Sequence, residues 1–354
     1  MTTPDPFARR AALRAAALRI ADEVLFPSAA TVDRTGVIPA THWQLLADAG
    51  LYGIAAPVED GGPDLPFGEL TEILEVLTSG CLATAFTWIQ HHGVVISLAR
   101  TTNHSLREEL LDAAVAGTLR AGVAYAGVVP TPPRMTATRV DHGWVFSGHA
   151  PFVSGWGMLD LLQISARDAE TDDVVAAILP ASDLAASSAA GRVRVTPIDL
   201  AAAAATQTVS LDVDSLPIPD GRVVGRVSLE EFSANQNVGV RLNGTLPFGL
   251  LRRCSALLDV AGRPHEARRL RERADVARTA LDDAMDDAAA LLSARADAAQ
   301  LAVDATAALV AATGGQALIR GADAERLYRE TSFVLVAASR PELKQALLQR
   351  FSGT

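Results

Sequence analysis

The chain has 354 residues and a formal net charge of −10, from 31 Lys and Arg against 41 Asp and Glu. That acidic balance argues against nucleic acid as a main partner, and the length allows a large core spread over two or three domains. With 5% aromatic residues and many alanines, the composition points to a protein dominated by helices.

The first segment, with Asp5, Arg9, Arg10 and Arg14 among alanines, reads as an amphipathic helix and lacks the apolar core of a signal peptide. Helical spacing runs to about residue 120, in Trp43, Leu46, Ala47 and in Leu70, Ile73, Leu74, Leu77, broken at Asp60-Gly61-Gly62-Pro63-Asp64. Trp88-Ile89-Gln90-His91-His92 puts adjacent histidines on different faces of one helix, so one of them can point into a pocket.

From Ala121 to about Arg226 the pattern changes to short β-prone runs: Val123 to Tyr125, Met135 to Val140, Trp144 to Phe146, Leu161 to Ser165, Val174 to Leu179, Val193 to Pro197 and Thr208 to Val213. Gly143 to Gly157 is the most informative of these. It reads as a hairpin-like pair with a turn at Ser147-Gly148-His149, and it brings an aromatic ring and a hydroxyl to one edge, as a planar ligand requires. The alanine-rich tract from Ala181 to Ala205 reads as loop and strand edge.

After Val227 helical stripes return, with Leu281, Met285, Ala288, Leu292 and then Leu301, Ala305, Ala308, Leu309; Pro247 kinks or starts a helix. Cys81 and Cys254 sit in apolar helical runs and read as buried free thiols. Asp282, Asp283, Asp286 and Asp287 lack a histidine at ligand spacing, so they read as a solvated or inter-subunit charged surface, with no metal site. No run of about 18 uncharged apolar residues predicts a membrane span, and the expected address is the cytoplasm. The expected division is a helical domain over 1–120, a β-domain over 121–226 and a helical domain over 227–354.

These stretches resemble the acyl-CoA dehydrogenase family. Gly143, Gly148, Phe152, Val153 and Ser154 match its "G-x-x-x-x-G-x-K-x-[WF]-[IV]-[ST]" run, with Ala150 in place of the lysine. Leu51 to Pro57 with Asp60-Gly61-Gly62 resembles "GLxGLxxPxxxGG", and Gly314-Gly315 followed by Arg326-Leu327-Tyr328-Arg329-Glu330 resembles "GGxG…RLxRD". The resemblance implies an α+β, mainly α fold: N-terminal helical domain, middle β-barrel domain and C-terminal four-helix bundle. It also implies FAD, an acyl-CoA or acyl carrier protein thioester as substrate, and assembly as a homo-oligomer or as a heteromer with a homologous subunit.

The resemblance further implies that Phe152, Val153 and Ser154 border the flavin, that Tyr125 flanks it, and that Gly314 and Gly315 approach its phosphates across a subunit interface. In that family a glutamate removes the α-proton of the thioester while the flavin accepts the β-hydride. Here Ala338 stands at the glutamate's usual place, and Gly239 at the family's second location for it. The loop that usually carries acid and serine reads Tyr125 to Pro133 without either, the expected glutamine is Ala311, and Arg263, Arg268 and Arg269 stand without the usual Phe-Gly.

Four readings follow. The base has moved, to Glu330, Asp160 or a histidine. A homologous partner supplies it. The flavin works with oxygen, assisted by His91 or His92. Or the chain is a non-catalytic acyl-binding or assembly relative.

Overall fold

The computed structural model describes residues 6–353, so Asp5 lies outside the described residues. Helix α1, Pro6–Ile20, passes through a single π-helical stretch at Ala21–Leu25 into α2, Phe26–Thr35, and α3 follows at Ala40–Asp48. Arg9 donates to the carbonyls of Gly61 and Gly62, and Arg14 pairs with Glu72 at 2.6 Å, so the basic face of α1 is pinned to the glycine-rich turn and to the helix after it.

That helix, α4 at Phe67–Gly80, buries every residue from Ile73 to Gly80. A helix buried on all sides is a core helix, and its small residues allow close approach: a Cβ on Gly80 would lie 2.9 Å from Ala21 Cα. Helix α5, Leu82–Arg100, and α6, His104–Val115, complete the first helical part. Cys81 occupies the break between α4 and α5 in extended conformation and is not inside a helical run; it and Cys254 are buried free thiols.

The strands are β1 Ala121–Ala124, β2 Met135–Val140, β3 Gly143–Val153, β4 Leu161–Asp168, β5 Val174–Pro180, β6 Val193–Pro197, β7 Val209–Pro219 and β8 Val223–Val227, with helix α7, Ala181–Ala189, between β5 and β6. They form one sheet in the order β6-β7-β3-β2-β4-β5-β8, with β1 added in parallel to β4. Phe146, Val153, Ile164, Val175, Leu211 and Ile218 make its core.

Three expectations are corrected here. Ser147-Gly148-His149 is no turn: β3 runs unbroken and pairs with β2 and β7, with a register shift between Phe146 and Gly148. Gly148 takes φ +129 where a Cβ would sit 1.9 Å from the carbonyl oxygen of Arg134, so the glycine serves a bulge and not a reversal. The alanine tract is not all loop, because Leu184 and the alanines at 181, 185, 186 and 189 have the helix propensity to form α7. And β8 extends the strand region by one unforeseen member.

Helices α8, Leu229–Ala234, and α9, Gln236–Asn243, lead into α10, Leu246–Val260, with Pro247 in its first turn where its missing N–H costs nothing. The remaining helices are α11 Pro264–Asp283, α12 Ala288–Thr313, α13 Asp323–Val336 and α14 Pro341–Ser352. Helix α10 packs on α4, α11 and α12, and α12 packs on α13 and α14.

By length and composition α12, continued to Leu318, is apolar enough to cross a membrane, although no 18-residue run within it is free of charge. Its hydropathy comes from alanine and leucine, it carries Arg295, Asp297 and Asp304, and it buries Leu291, Ala298, Leu301, Ala302, Ala305 and Leu309 among the other helices. That is the pattern of a bundle-core helix.

Candidate functional site

The end of β3 forms the centre of the site. A second register shift, between Ala150 and Val153, lets Val153 return to the ladder opposite Val209 while Phe152 is thrown outward. Phe152 takes the left-handed conformation, φ 54, and is 66% exposed. Left-handed backbone at a bulky residue is strained and persists only where its surroundings hold it.

Next in the chain, the buried Ser154 hydroxyl lies 2.7 Å from that of Thr208, which in turn is 2.8 Å from the hydroxyl of Thr206. The N–H of Gly155 donates to Thr206 O at 2.7 Å. An exposed ring and an aligned row of hydroxyls therefore share one edge. The sequence motifs do not point to Thr206 and Thr208 as site residues: with Ser154 they lie just beyond the Val153 to Val209 end of the β3–β7 ladder, and only that pairing brings the three hydroxyls together.

Tyr125 follows β1 on the neighbouring segment, where Gly127 packs so tightly on β3 that a Cβ would lie 2.7 Å from His149 O. Burial raises the Tyr125 phenol, while the charges of Arg340 and Arg295 oppose that rise. These arginines belong to the turn around Ala338. Arg295, buried in α12, donates to the carbonyls of Ala337 and Ala338, and burial lowers its guanidinium to about 10. Arg340 donates to the Gln236 side chain at 2.7 Å. Ala338 itself is left-handed, φ 48. The usual glutamate position is thus an exposed alanine on a turn held by an arginine. The motifs pass over Arg295, whose only mark in the sequence is that of a lone arginine among alanines.

The other candidates lie elsewhere. His91 bridges two backbone groups: the N–H of Ala121 donates to Nδ1 at 3.0 Å, so the proton resides on Nε2, 3.0 Å from Ala114 O. Burial depresses it to about 4. It anchors the start of β1, about 13 Å along the strand from Tyr125, and borders a void of about 10 Å³ shared with Tyr52, Thr87 and Trp88, too small for an organic ligand. His92 is buried with both ring nitrogens unpartnered, its ring edge-on to Trp88 at 4.5 Å.

Glu330 is buried against Arg326 at 3.0 Å, and burial holds its carboxyl above the usual range. Asp160 accepts from the backbone N–H and the side chain of Arg120. Gly314, φ 66, and Gly315 are exposed at the end of α12, with nothing within 4 Å of a Cβ at either. Their chain neighbours Thr313 and Gln316 line an open groove of about 510 Å³ with Leu257, Val260, Leu309 and Ile319. Gly314 lies 19 residues beyond Arg295 on the same helix, about 28 Å away at 1.5 Å per residue.

A helical unit, a strand-rich unit with an exposed aromatic ring at one edge and a helical bundle together define an acyl-CoA dehydrogenase-type architecture. Residues 8–118 match the acyl-CoA dehydrogenase, N-terminal domain. The chain is 27% identical over 157 residues to the mitochondrial 2-methylacyl-CoA dehydrogenase of Solanum tuberosum, which covers 42% of this chain and 38% of that protein. The match therefore spans about two fifths of that relative's length.

Across 99% of both chains the fold superposes on butyryl-CoA dehydrogenase from Megasphaera elsdenii with TM-score 0.81 at 15% identity. It also superposes on dibenzothiophene monooxygenase from Paenibacillus sp. A11-2, TM-score 0.76 at 16% identity over 97% of each chain. Residues 8–118 thus match the family's N-terminal domain, and the chain as a whole has the acyl-CoA dehydrogenase fold.

Proposed function

We propose that this chain is one subunit of a heteromeric, FAD-dependent oxidoreductase acting on the CH–CH group of an acyl thioester, with a homologous partner supplying the carboxylate base. The observation that carries this reading is the fate of the carboxylates. Ala338 cannot take a proton, Glu330 is tied to Arg326 inside the bundle, and Asp160 is tied to Arg120. A general base must reach the proton it removes within hydrogen-bond distance or through one water.

The residues present fit the ring end of a flavin: Phe152 offers an exposed aromatic face, and Ser154 a hydroxyl held in place by Thr208. Tyr125 packs against the core of the same sheet. When bound, FAD supplies an acceptor for hydride. The phosphate-facing candidates, Gly314 and Gly315, stand about 28 Å along α12 from Arg295 and its turn, and we assign them to the cofactor of a second copy. A site completed by a second subunit accounts for both.

Oxygen chemistry assisted by a histidine is supported less, because His91 uses both nitrogens on backbone and His92 is enclosed.

The test is a visible absorbance spectrum of the chain purified alone and co-expressed with a glutamate-bearing homologue, read near roughly 370 and 450 nm where protein-bound flavin absorbs. The expected result is flavin bands only in the co-purified assembly, bleached by acyl-CoA. A chain that holds flavin by itself and is bleached by acyl-CoA overturns the heteromer.

A further inference from the structure

Arg295 is a buried cation without a counter-ion. It stands in α12 with 2% of its surface exposed, and its guanidinium donates to the carbonyl of Ala337 and, at 3.4 Å, to that of Ala338. Arg241 and Arg326, as deeply buried, pair with Asp282 and with Asp323 and Glu330. Among the described residues no carboxylate forms such a pair with Arg295. Burying a charge is costly unless an opposite charge meets it.

The plain reading is a helix cap. Ala337 and Ala338 follow the last turn of α13, and the end of a helix offers about half a negative charge to a cation. That leaves positive charge in surplus, because Arg340 adds a second cation on the same turn. Among the described residues it too has no carboxylate partner, and it is held by the Gln236 side chain at 2.7 Å. The charges of Arg295 and Arg340 act on each other and on the Tyr125 phenol, so the three groups surround one spot. Next to Arg340, the Ser339 hydroxyl is buried without a hydrogen-bond partner. Ala338 is exposed, which gives the turn an open side.

We propose that this turn binds the carboxylate of a small aliphatic acid, with Arg295 and Arg340 supplying the charge and Ser339 a hydroxyl donor. A planar guanidinium has five N–H donors in a fork that matches a carboxylate, and the two carbonyls leave most of them free to serve it. The choice of a carboxylate over other anions rests on the acyl reading above, in which residue 338 faces the acyl group. The site itself rests on residues of this chain alone and needs neither flavin nor a second subunit. Where acyl-CoA dehydrogenases carry a negative base, this turn is positive, and it receives an acid instead of removing a proton.

The test is calorimetric titration of the purified chain with sodium butyrate, against butyramide as the uncharged isostere and inorganic phosphate as an anion of another shape. The expected result is saturable binding of a single butyrate per chain, with butyramide and phosphate weaker by about tenfold or more, the loss of one hydrogen bond to a charged group. Arg340→Gln, at a half-buried site, weakens butyrate by about the same factor. Arg295→Gln abolishes binding; should it fail to fold, R340Q carries the test. Butyrate binding is expected to persist in any co-purified assembly, and its loss there would give the site to a partner carboxylate and overturn the small-molecule assignment. A turn that is only a cap binds no butyrate. That result, equal binding of butyramide, tighter binding of phosphate, or an R340Q variant that binds like wild type each overturns the proposal, whereas failure of the heteromer alone leaves butyrate binding unchanged.

Discussion

At the residue scale, His91 shows how a side chain singled out for chemistry is committed to structure. Its two ring nitrogens join the end of α6 to the start of β1, which secures two backbone groups that would otherwise be buried without partners. Because folding depresses it from 6.5 to about 4, its contribution is complete above 6.5 and is lost as pH falls toward 4, while the unfolded chain takes up the proton first. The shift corresponds to about 3 kcal/mol. Denaturant midpoints at pH 7 and pH 4.5 measure it: His91→Phe is less stable than wild type at pH 7, and its further loss on acidification is smaller. An undiminished acid loss in the variant would remove His91 as a cause. His92, also buried and pushed down, adds a share of its own in the same direction.

At the scale of elements, the α4 and α10 crossing depends on Gly249, where a Cβ would lie 2.4 Å from Thr78 Cβ and 2.9 Å from Glu75 O. Gly249→Ala improves helix propensity by about 1 kcal/mol, but overpacking costs about 1 to 3 kcal/mol, so a lower Tm is expected. Gly93 in α5 has nothing within 4 Å of a Cβ, and Gly93→Ala is expected to raise Tm. Equal shifts in both variants would contradict this account of the crossing.

Much of the element pattern is legible in the sequence, because the hydrophobic period of Leu70 to Leu77 or Val174 to Leu179 is a local property. The continuity of β3 is not. Ser147-Gly148-His149 has the composition of a turn, and only its pairing on both sides with β2 and β7 keeps it extended. Likewise the motif singles out Phe152 and Ser154, while the bulge that turns Phe152 outward has no local mark.

At the scale of the molecule, Arg329 ties three parts together. It holds Asp33 of α2 through two bonds of 2.9 and 2.7 Å, Glu325 of its own helix, and the Ala201 carbonyl from the strand-rich part. Arg329→Ala leaves Asp33, largely buried, without its partner. The expected cost is about 2 kcal/mol, between that of exposed and fully buried pairs. Hydrogen exchange is expected to rise together in residues 26–35, 201–206 and 323–336. A rise confined to α13 would show that the three parts are held by other contacts.

What the sequence determined by itself was the order of helical and strand-rich segments, the family signatures, and the alanine at position 338. Periodicity and motif spacing are written along the chain, and no folding is needed to see that an alanine has no proton acceptor. Only the tertiary structure decided which polar groups are already committed: Asp160 to Arg120, His91 to backbone groups 23 and 30 residues away, and Arg295 to the turn that carries Ala338. The reason is physical. A buried donor or acceptor takes whichever partner packing brings to it, and that partner lies far away in sequence.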